Sequence, residues 1–212
     1  MSTGTSIPAL ALSLVLGVAP LFVPAGPVAQ EDVSVAVAVL QPTQGNDVRG
    51  VVHFRDVSGG VLVVAEITGL EPGSSHGFHV HEFGDATAPD GSSAGSHFDP
   101  GKTKHHARPN APEPHHAGDM GNVEADASGR ARYEAVIEDI SIAGSNNPIL
   151  GRAVIVHAKA DTFVQPTGDA GDRVAIGIIG VANPERANRS IPPRGANDRD
   201  RTQPDRTPAT PR

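Results

Sequence analysis

Histidines are concentrated in a few parts of this 212-residue chain. His79 and His81 alternate with apolar residues, so a strand would project both imidazoles from one face, with α-carbons about 7 Å apart. Two imidazoles in that arrangement can hold one metal ion together. The other candidate donors lie in or after a long polar segment, namely His97, His105, His106, His115, His116, Asp119 and His157.

The side chains available to hold a metal are imidazoles and carboxylates, because the chain contains no cysteine. This composition also excludes disulfides, thiolate metal sites and cysteine nucleophiles. Imidazole together with carboxylate suits zinc or copper better than calcium or magnesium. The spacing alone leaves one alternative open, in which these are ordinary surface histidines of a polar loop.

The overall composition is that of a globular protein, with 38% apolar and 19% charged residues. Only 3% of the residues are aromatic, so the core has to be built from Val, Ile, Ala and Leu, a mixture that favours strands. The net charge is −7, and residues 30–183 alone carry ten Lys or Arg against twenty Asp or Glu. Because this balance provides no basic surface for a phosphate backbone, we expect no nucleic acid partner.

Both ends of the chain differ in composition from the middle. Residues 1–29 carry no charge and contain an apolar run at 7–23 followed by small residues, which predicts a signal peptide with an uncertain cleavage site. We therefore expect export to the periplasm or the extracellular space. An uncleaved membrane anchor is the alternative, and only then would a membrane be a partner. Residues 184–212 contain six Pro and seven Arg with one large apolar side chain, which predicts a disordered tail.

The residues between these ends alternate in hydropathy with the period of two that is typical of strands. Clusters of Gly, Pro, Asn and Asp separate eight such runs, at residues 33–39, 48–55, 61–70, 76–83, 120–127, 130–137, 149–157 and 174–182. The pattern predicts an all-β fold, an eight-stranded antiparallel Greek-key β-sandwich or flattened barrel. Two long intervals, 84–118 and 161–173, interrupt the rhythm and are predicted to be functional loops.

Six short segments carry a family resemblance. They are 77–85 (GFHVHEFGD), 93–100 (SAGSHFDP), 118–122 (GDMGN), 156–161 (VHAKAD), 168–173 (GDAGDR) and 177–180 (GIIG). In this order and spacing they resemble the signature segments of copper/zinc superoxide dismutases, over residues from about 33 to 182. The resemblance identifies residues 30–183 as a domain similar to that family.

The resemblance implies a role for each candidate donor. It implies one copper per subunit held by His79, His81, His97 and His157, and one zinc held by His97, His105, His116 and Asp119, with His97 bridging the two. The spacing of the family favours His105 over His106 and His116 over His115. His106 and His115 are then expected to be exposed loop residues. Asp161 would link a copper histidine to a zinc histidine, and His76 would tie strands together near the site.

The activity that the resemblance implies is dismutation of superoxide to O2 and H2O2, by alternate reduction and reoxidation of copper, as antioxidant defence. His97 would act as ligand and proton donor, and Arg173 would offer a fixed cation to the anionic substrate. A homodimer and a copper donor are the implied protein partners. The alternative function is a non-catalytic copper-binding or copper-buffering protein on the same fold.

One feature of the family is absent from this chain. The family's usual disulfide joins the metal-binding loop to the last strand, and the corresponding positions here are Gly91 and Ile176. Loss of such a bridge typically costs about 2–5 kcal/mol, so another contact has to hold the loop. The sequence leaves three candidates open, which are contacts of Ile176 with residues 88–94, bound zinc and dimerisation.

Overall fold

The computed structural model of the chain describes Met1 and residues 33–103 and 107–190. The chain divides into two compact units, Met1–Glu31 and Asp32–Arg212, and the strands and donor groups of the described residues lie in the second. Apart from Met1, the predicted signal peptide lies outside the described residues, as do residues 191–212 of the predicted tail. Within the described part of the chain, no helix is long and apolar enough to cross a membrane.

The described residues form nine strands and one short α-helix. The strands are β1 (Val35–Pro42), β2 (Arg49–Val57), β3 (Gly60–Thr68), β4 (Ser75–His81), β5 (Asp119–Glu124), β6 (Arg130–Ile137), β7 (Ala153–His157), β8 (Arg173–Ile178) and β9 (Gly180–Val181), and the helix is α1 (Pro184–Ser190). A 3-10 turn at Ser92–Ala94 lies in the first long loop. The predicted all-β class is confirmed.

The strands form two antiparallel sheets that join into one nearly closed barrel, in the order β5-β4-β7-β8-β1-β2-β3-β6. The first sheet holds β6, β3, β2, β1 and β9, and the second holds β5, β4, β7 and β8 together with the end of β1. The chain leaves the first sheet after β3, returns to it at β6 and leaves again for β7, which is the predicted Greek-key path. A bridge between Ala125 and Ala131 brings β5 next to β6.

The alternation of apolar and polar residues with a period of two explains which strand residues are buried in the core. Val61, Val63 and Ala65 on β3 are fully buried and share one cluster with Phe78 of β4 and Val154 of β7, on the opposite sheet. Because alternate residues of a strand point to opposite faces, the residues between these positions lie on the outer faces of the sheets. The core therefore fixes which side chains of β4 and β7 face outward, where the candidate donors lie.

Two parts of the structure differ from the sequence expectation. The last predicted strand is divided at the buried Ile179, since β8 pairs with β7 and the end of β1 in the second sheet, whereas β9 pairs with the start of β1 in the first. The first seven residues of the predicted tail form α1, in which Ala187 is buried against Val35 and Ala182. One well-placed alanine supplies an apolar contact that the average composition of residues 184–212 conceals.

Candidate metal centre

The outer face of the second sheet carries the candidate donors. His79 and His81 alternate on β4 with Phe78 and Val80, which belong to the core. His157 is the last residue of β7, the neighbour of β4. The spacing of His79 and His81 thus places both imidazoles on one face, as predicted.

The first long loop brings His97 to the same face. A bridge pairs His97 with His81, and the Phe98 backbone N–H donates to the Val80 carbonyl at 2.9 Å. The ring centroids of His79 and His97 are 4.0 Å apart. Four buried histidines converge here, with donor nitrogens within 4.8 Å of one another: His79, His81, His97 and His157.

The hydrogen bonds of His81 and His157 show which ring nitrogen of each is protonated and which faces the other ring. His81 Nδ1 donates to the Gly95 carbonyl and His157 Nδ1 donates to the Gly171 carbonyl, each at 3.0 Å. A carbonyl can only accept, so in the neutral rings both Nε2 atoms carry lone pairs, and these atoms are 3.3 Å apart. Because facing lone pairs repel unless a cation lies between them, this donor set fits a metal ion.

His79 is oriented by a carboxylate instead of a carbonyl. Its Nε2 donates to Asp161 Oδ2 at 2.9 Å, with both side chains fully buried, which leaves Nδ1 as the atom that can bind a metal. The backbone of Asp161 is held by Asn122, whose side chain donates to the Asp161 carbonyl at 3.0 Å and accepts from its N–H at 2.7 Å. Outer partners of this kind fix the orientation of ligating imidazoles.

A second group of donors adjoins the first and shares His97 with it. It consists of His97, His116 and Asp119, all buried, with donor atoms within 4.8 Å of one another. Asp119 Oδ1 lies 2.9 Å from His97 Nδ1 and 3.4 Å from His116 Nδ1. Two imidazoles and a carboxylate form a donor set that suits zinc.

Arg173 lies beside the four-histidine group. Its Nη1 and Nη2 donate to the backbone carbonyls of Gly91 and Gly95, respectively. The Thr43 hydroxyl donates to the backbone carbonyl of Arg173 at 2.6 Å. Burial lowers the pKa of Arg173, and the carboxylate of Asp90 opposes that shift. A cavity of about 250 Å³ adjoins Arg173 and three of the four histidines. The residues that line it are His81, Ser96, His97, His157, Thr167, Asp169, Ala170, Gly171 and Arg173.

Two other histidines of the long loop, His105 and His115, lie outside the two groups of described donors. His105, with His106, lies outside the described residues, so the second group contains three of its four predicted donors. The expectation that His115 is exposed is wrong, because its side chain is only 7% exposed and its Nε2 lies 3.1 Å from Asp139 Oδ2. The acidic partner follows β6 and is distant in sequence, so the local pattern did not indicate it.

Comparison with known proteins identifies the family. A family model described as copper/zinc superoxide dismutase matches residues 48–179. The chain belongs to the copper/zinc superoxide dismutase family. Its relatives include the extracellular Cu-Zn superoxide dismutase of Brugia pahangi, which is 39% identical over 158 residues that cover 69% of this chain and 76% of that protein.

A further relative and a solved structure match over similar lengths. Cu-Zn superoxide dismutase 3 of Arabidopsis thaliana is 46% identical over 145 residues, which cover 64% of this chain and 85% of that protein. A crystal structure of the clock protein EA4 is similar with a TM-score of 0.62 and 42% identity, and the match covers 70% of this chain and 95% of that one. The predicted superoxide dismutase family and its enzyme class are therefore confirmed.

Some groups that orient the donors of this family member have no signal in the sequence. The carbonyls of Gly95 and Gly171 are backbone atoms in loops, and every residue carries a backbone carbonyl, so the sequence does not single out these two. Asn122 has a side chain that could have been singled out, but its partner Asp161 lies 39 residues away. Only the folded structure shows these contacts.

The metal-free chain is expected to lose stability as the pH falls from about 7 to 5. Burial lowers the pKa of His79 to about 3 and that of His157 to about 4, whereas the ordinary pKa of histidine is 6.5. Below pH 6.5 the unfolded chain therefore binds more protons than the folded chain, and the free energy of unfolding decreases by roughly a few kcal/mol.

Urea unfolding in the presence of a chelator, at several pH values between 5 and 7.5, measures this dependence. His157→Gln is the matched variant and should show a weaker pH dependence, because it removes one of the groups. An unfolding midpoint that stays constant from pH 7 to pH 5 would contradict the assignment of neutral, buried imidazoles.

Proposed function

We propose that this member of the family dismutates superoxide at the four-histidine group. The observation that carries the proposal is the convergence of four buried imidazoles beside a cavity that is also lined by a fixed arginine. The proposed copper ligands are His79, His81, His97 and His157, and the proposed zinc ligands are His97, His105, His116 and Asp119, with one ion of each metal per chain. Copper, when bound, supplies the electron transfer between two superoxide ions.

Arg173 is proposed to bind the superoxide anion. Its guanidinium is held by two carbonyl acceptors, so it is oriented before the substrate arrives, and a preorganised cation stabilises an anion without reorganising. The region 30–183 is strongly acidic, so local positive potential has to attract the substrate. Lys159, whose side chain packs over Gly171 at the cavity, is the second candidate for this role.

His97 is proposed to hold and deliver a proton. Its Nδ1 faces the Asp119 carboxylate at 2.9 Å, which leaves Nε2 for the four-histidine group. A proton held at Nε2 lies beside the cavity and can be given to the reduced product. The fixed Nδ1 contact keeps the ring in place while Nε2 gains and loses that proton.

The metal dependence of superoxide decay tests this function. The chain is prepared metal-free, then loaded with zinc alone, copper alone, or both, and superoxide decay is followed for each form. Copper-containing forms are expected to accelerate decay and the zinc form is not. If copper binds fully and decay is not accelerated, the alternative of a copper-binding or copper-buffering protein replaces the dismutase.

We propose that two copies of the chain form a dimer through an exposed apolar patch. Phe83 is 57% exposed and Ile178 is 38% exposed, although both are large apolar side chains. They are close in space, since Gly84 packs directly against Gly151 and Ile178. An exposed apolar patch of this kind is typical of an isologous interface.

Phe83→Glu is expected to convert the dimer to a monomer, because it places a charge in the buried centre of the interface. Sedimentation equilibrium at micromolar concentration measures the mass of the particle. Val164→Glu, at a residue that is 59% exposed in the second long loop, is the matched control and should remain dimeric. A monomeric unaltered chain, or a dimeric Phe83→Glu variant, would contradict the proposal.

Export and copper delivery are also proposed. The uncharged, apolar residues 1–29 support a signal peptide, and one relative is named an extracellular enzyme. We therefore propose that the chain acts in the periplasm or outside the cell, and that a copper donor loads it. The mass of the mature chain recovered from the exported fraction tests the cleavage of residues 1–29.

A further inference from the structure

A small apolar cluster lies on the outer face of the second sheet, apart from the main core. It consists of Ala94 from the first long loop, Ala153 and Ile155 of β7, and Ile176 of β8. The two alanines and Ile155 are fully buried, and Ile176 is 7% exposed. Because the cluster lies outside the barrel, the loop residue Ala94 is part of what covers these strand residues.

The cluster shares its face of the sheet with the metal centre. Ile155 pairs with His79 of β4 on one side and with Ile176 of β8 on the other. His157 follows two residues after Ile155 and pairs with Arg173. The apolar cluster and the proposed copper site are therefore adjacent parts of one surface.

The loop segment 91–95, which contains Ala94, carries the two carbonyls that orient the Arg173 guanidinium. Ala94 ends the 3-10 turn, with Gly91 before the turn and Gly95 after it. The carbonyls of Gly91 and Gly95 accept both hydrogen bonds of the Arg173 guanidinium. The Gly95 carbonyl also accepts from His81 Nδ1, so one backbone atom connects the arginine to a metal ligand.

We infer that Ile176 and Ala94 are positioning residues, which seat the loop segment 91–95 and thereby aim Arg173 and His81. The inference rests on the proposed function, since Arg173 is taken there as the anion-binding group. The apolar cluster of Ala94 with Ile176, called the seat below, includes no disulfide, because the chain has no cysteine. Buried apolar contacts between the loop and β8 hold the carbonyls in place.

The other contacts of the loop around this segment are hydrogen bonds. The Phe83 N–H donates to the Ala94 carbonyl at 3.0 Å, the Ser96 N–H donates to the carboxylate of Glu82 at 3.0 Å, and the Gln44 N–H donates to the Pro89 carbonyl at 2.8 Å. Single hydrogen bonds of this type contribute modestly, because water competes for the same groups. Burial of Ala94 in one cluster with Ile176 does not face that competition, so the seat adds an anchor that water does not weaken.

The test uses the full chain with Ile176→Ala, which removes most of one large apolar side chain from the cluster that contains Ala94. Amide hydrogen exchange at Ala94 and Gly95, measured on metal-free and on copper/zinc-loaded protein, is expected to accelerate at least about tenfold. The affinity of the loaded protein for azide, a small anion probe, is expected to weaken about 3- to 10-fold. Ile176→Val should change both quantities in the same direction and by less.

Ile67→Ala on β3 is the matched control, because it makes the same truncation in the main core. It should lower stability and leave the exchange of Ala94 and Gly95 and the azide affinity unchanged. In an Arg173→Gln background, Ile176→Ala should weaken azide binding no further, since the seat acts through the arginine.

Unchanged exchange and unchanged azide affinity in both Ile176 variants would overturn the inference, and so would additive effects of Ile176→Ala and Arg173→Gln. Hydrogen exchange of the metal-free chain does not depend on catalysis. If the unaltered chain failed to dismutate superoxide while Ile176→Ala still accelerated exchange, the proposed function would fail and the seat would stand.

Discussion

His81→Gln is expected to lower the rate of superoxide decay per chain by more than about 100-fold, since even outer partners of ligating imidazoles are worth 10- to 100-fold. His81 is buried, its Nδ1 is held by the Gly95 carbonyl, and its Nε2 faces His157 at 3.3 Å. Glutamine has no nitrogen lone pair to replace Nε2. Both the bound copper, measured by elemental analysis, and the decay rate should fall.

His53→Gln is the matched control for this variant. His53 lies on β2 of the first sheet, outside both donor groups. The control should keep its copper and its rate. A His81→Gln chain that retains full copper and full activity would show that His81 is not a ligand.

Arg173→Gln is expected to lower the rate per copper by about 100-fold or more, in the range seen when one preorganised donor to a developing anion is removed. The metal content should stay the same, because Arg173 belongs to neither donor group. The rate should also become less sensitive to salt, since the local positive charge that attracts the substrate is lost. Stopped-flow decay at several ionic strengths measures both effects.

Two further variants make the effect of Arg173 specific. Arg173→Lys keeps the charge but loses the planar pair of donors, so it should recover part of the rate. Arg132→Gln removes an exposed arginine from β6 and should behave like the unaltered chain. If Arg173→Gln kept the full rate and salt dependence, Arg173 would not bind the substrate.

The strand pattern and several donors were predictable from the sequence for a simple reason. A period of two relates residues that are neighbours in the chain, so His79 and His81 could be placed on one face without knowing the fold. The role of His157 required the resemblance, because its approach to His81 depends on the pairing of β4 with β7. Spacing alone left all the loop histidines as equal candidates.

The rest could not be predicted because it depends on contacts between distant segments. His115 was expected to be exposed, yet its side chain pairs with Asp139 from the connection after β6. The buried Ala187 of α1 shows the same limit, since its contact with Val35 joins opposite ends of the described unit. In both cases a partner far along the chain determines the local environment.

The first long loop shows how the structure narrows an open question. The sequence offered Ile176, zinc and dimerisation as replacements for the family's disulfide. The structure places Ile176 in a buried cluster with Ala94, and in the sequence Ala94 lies between Gly91 and Gly95, whose carbonyls accept from Arg173. The cluster proposed to tether the loop is thereby linked to the proposed anion-binding group, Arg173.

The rate constant of superoxide decay per copper is the most direct test of the central claim. It is measured by stopped flow on the full chain with both metals at full occupancy. A dismutase is predicted to approach the diffusional limit of about 10⁸ to 10⁹ M⁻¹s⁻¹. Decay no faster than the spontaneous reaction in buffer, with both metals bound, would contradict the claim and leave a copper-binding protein.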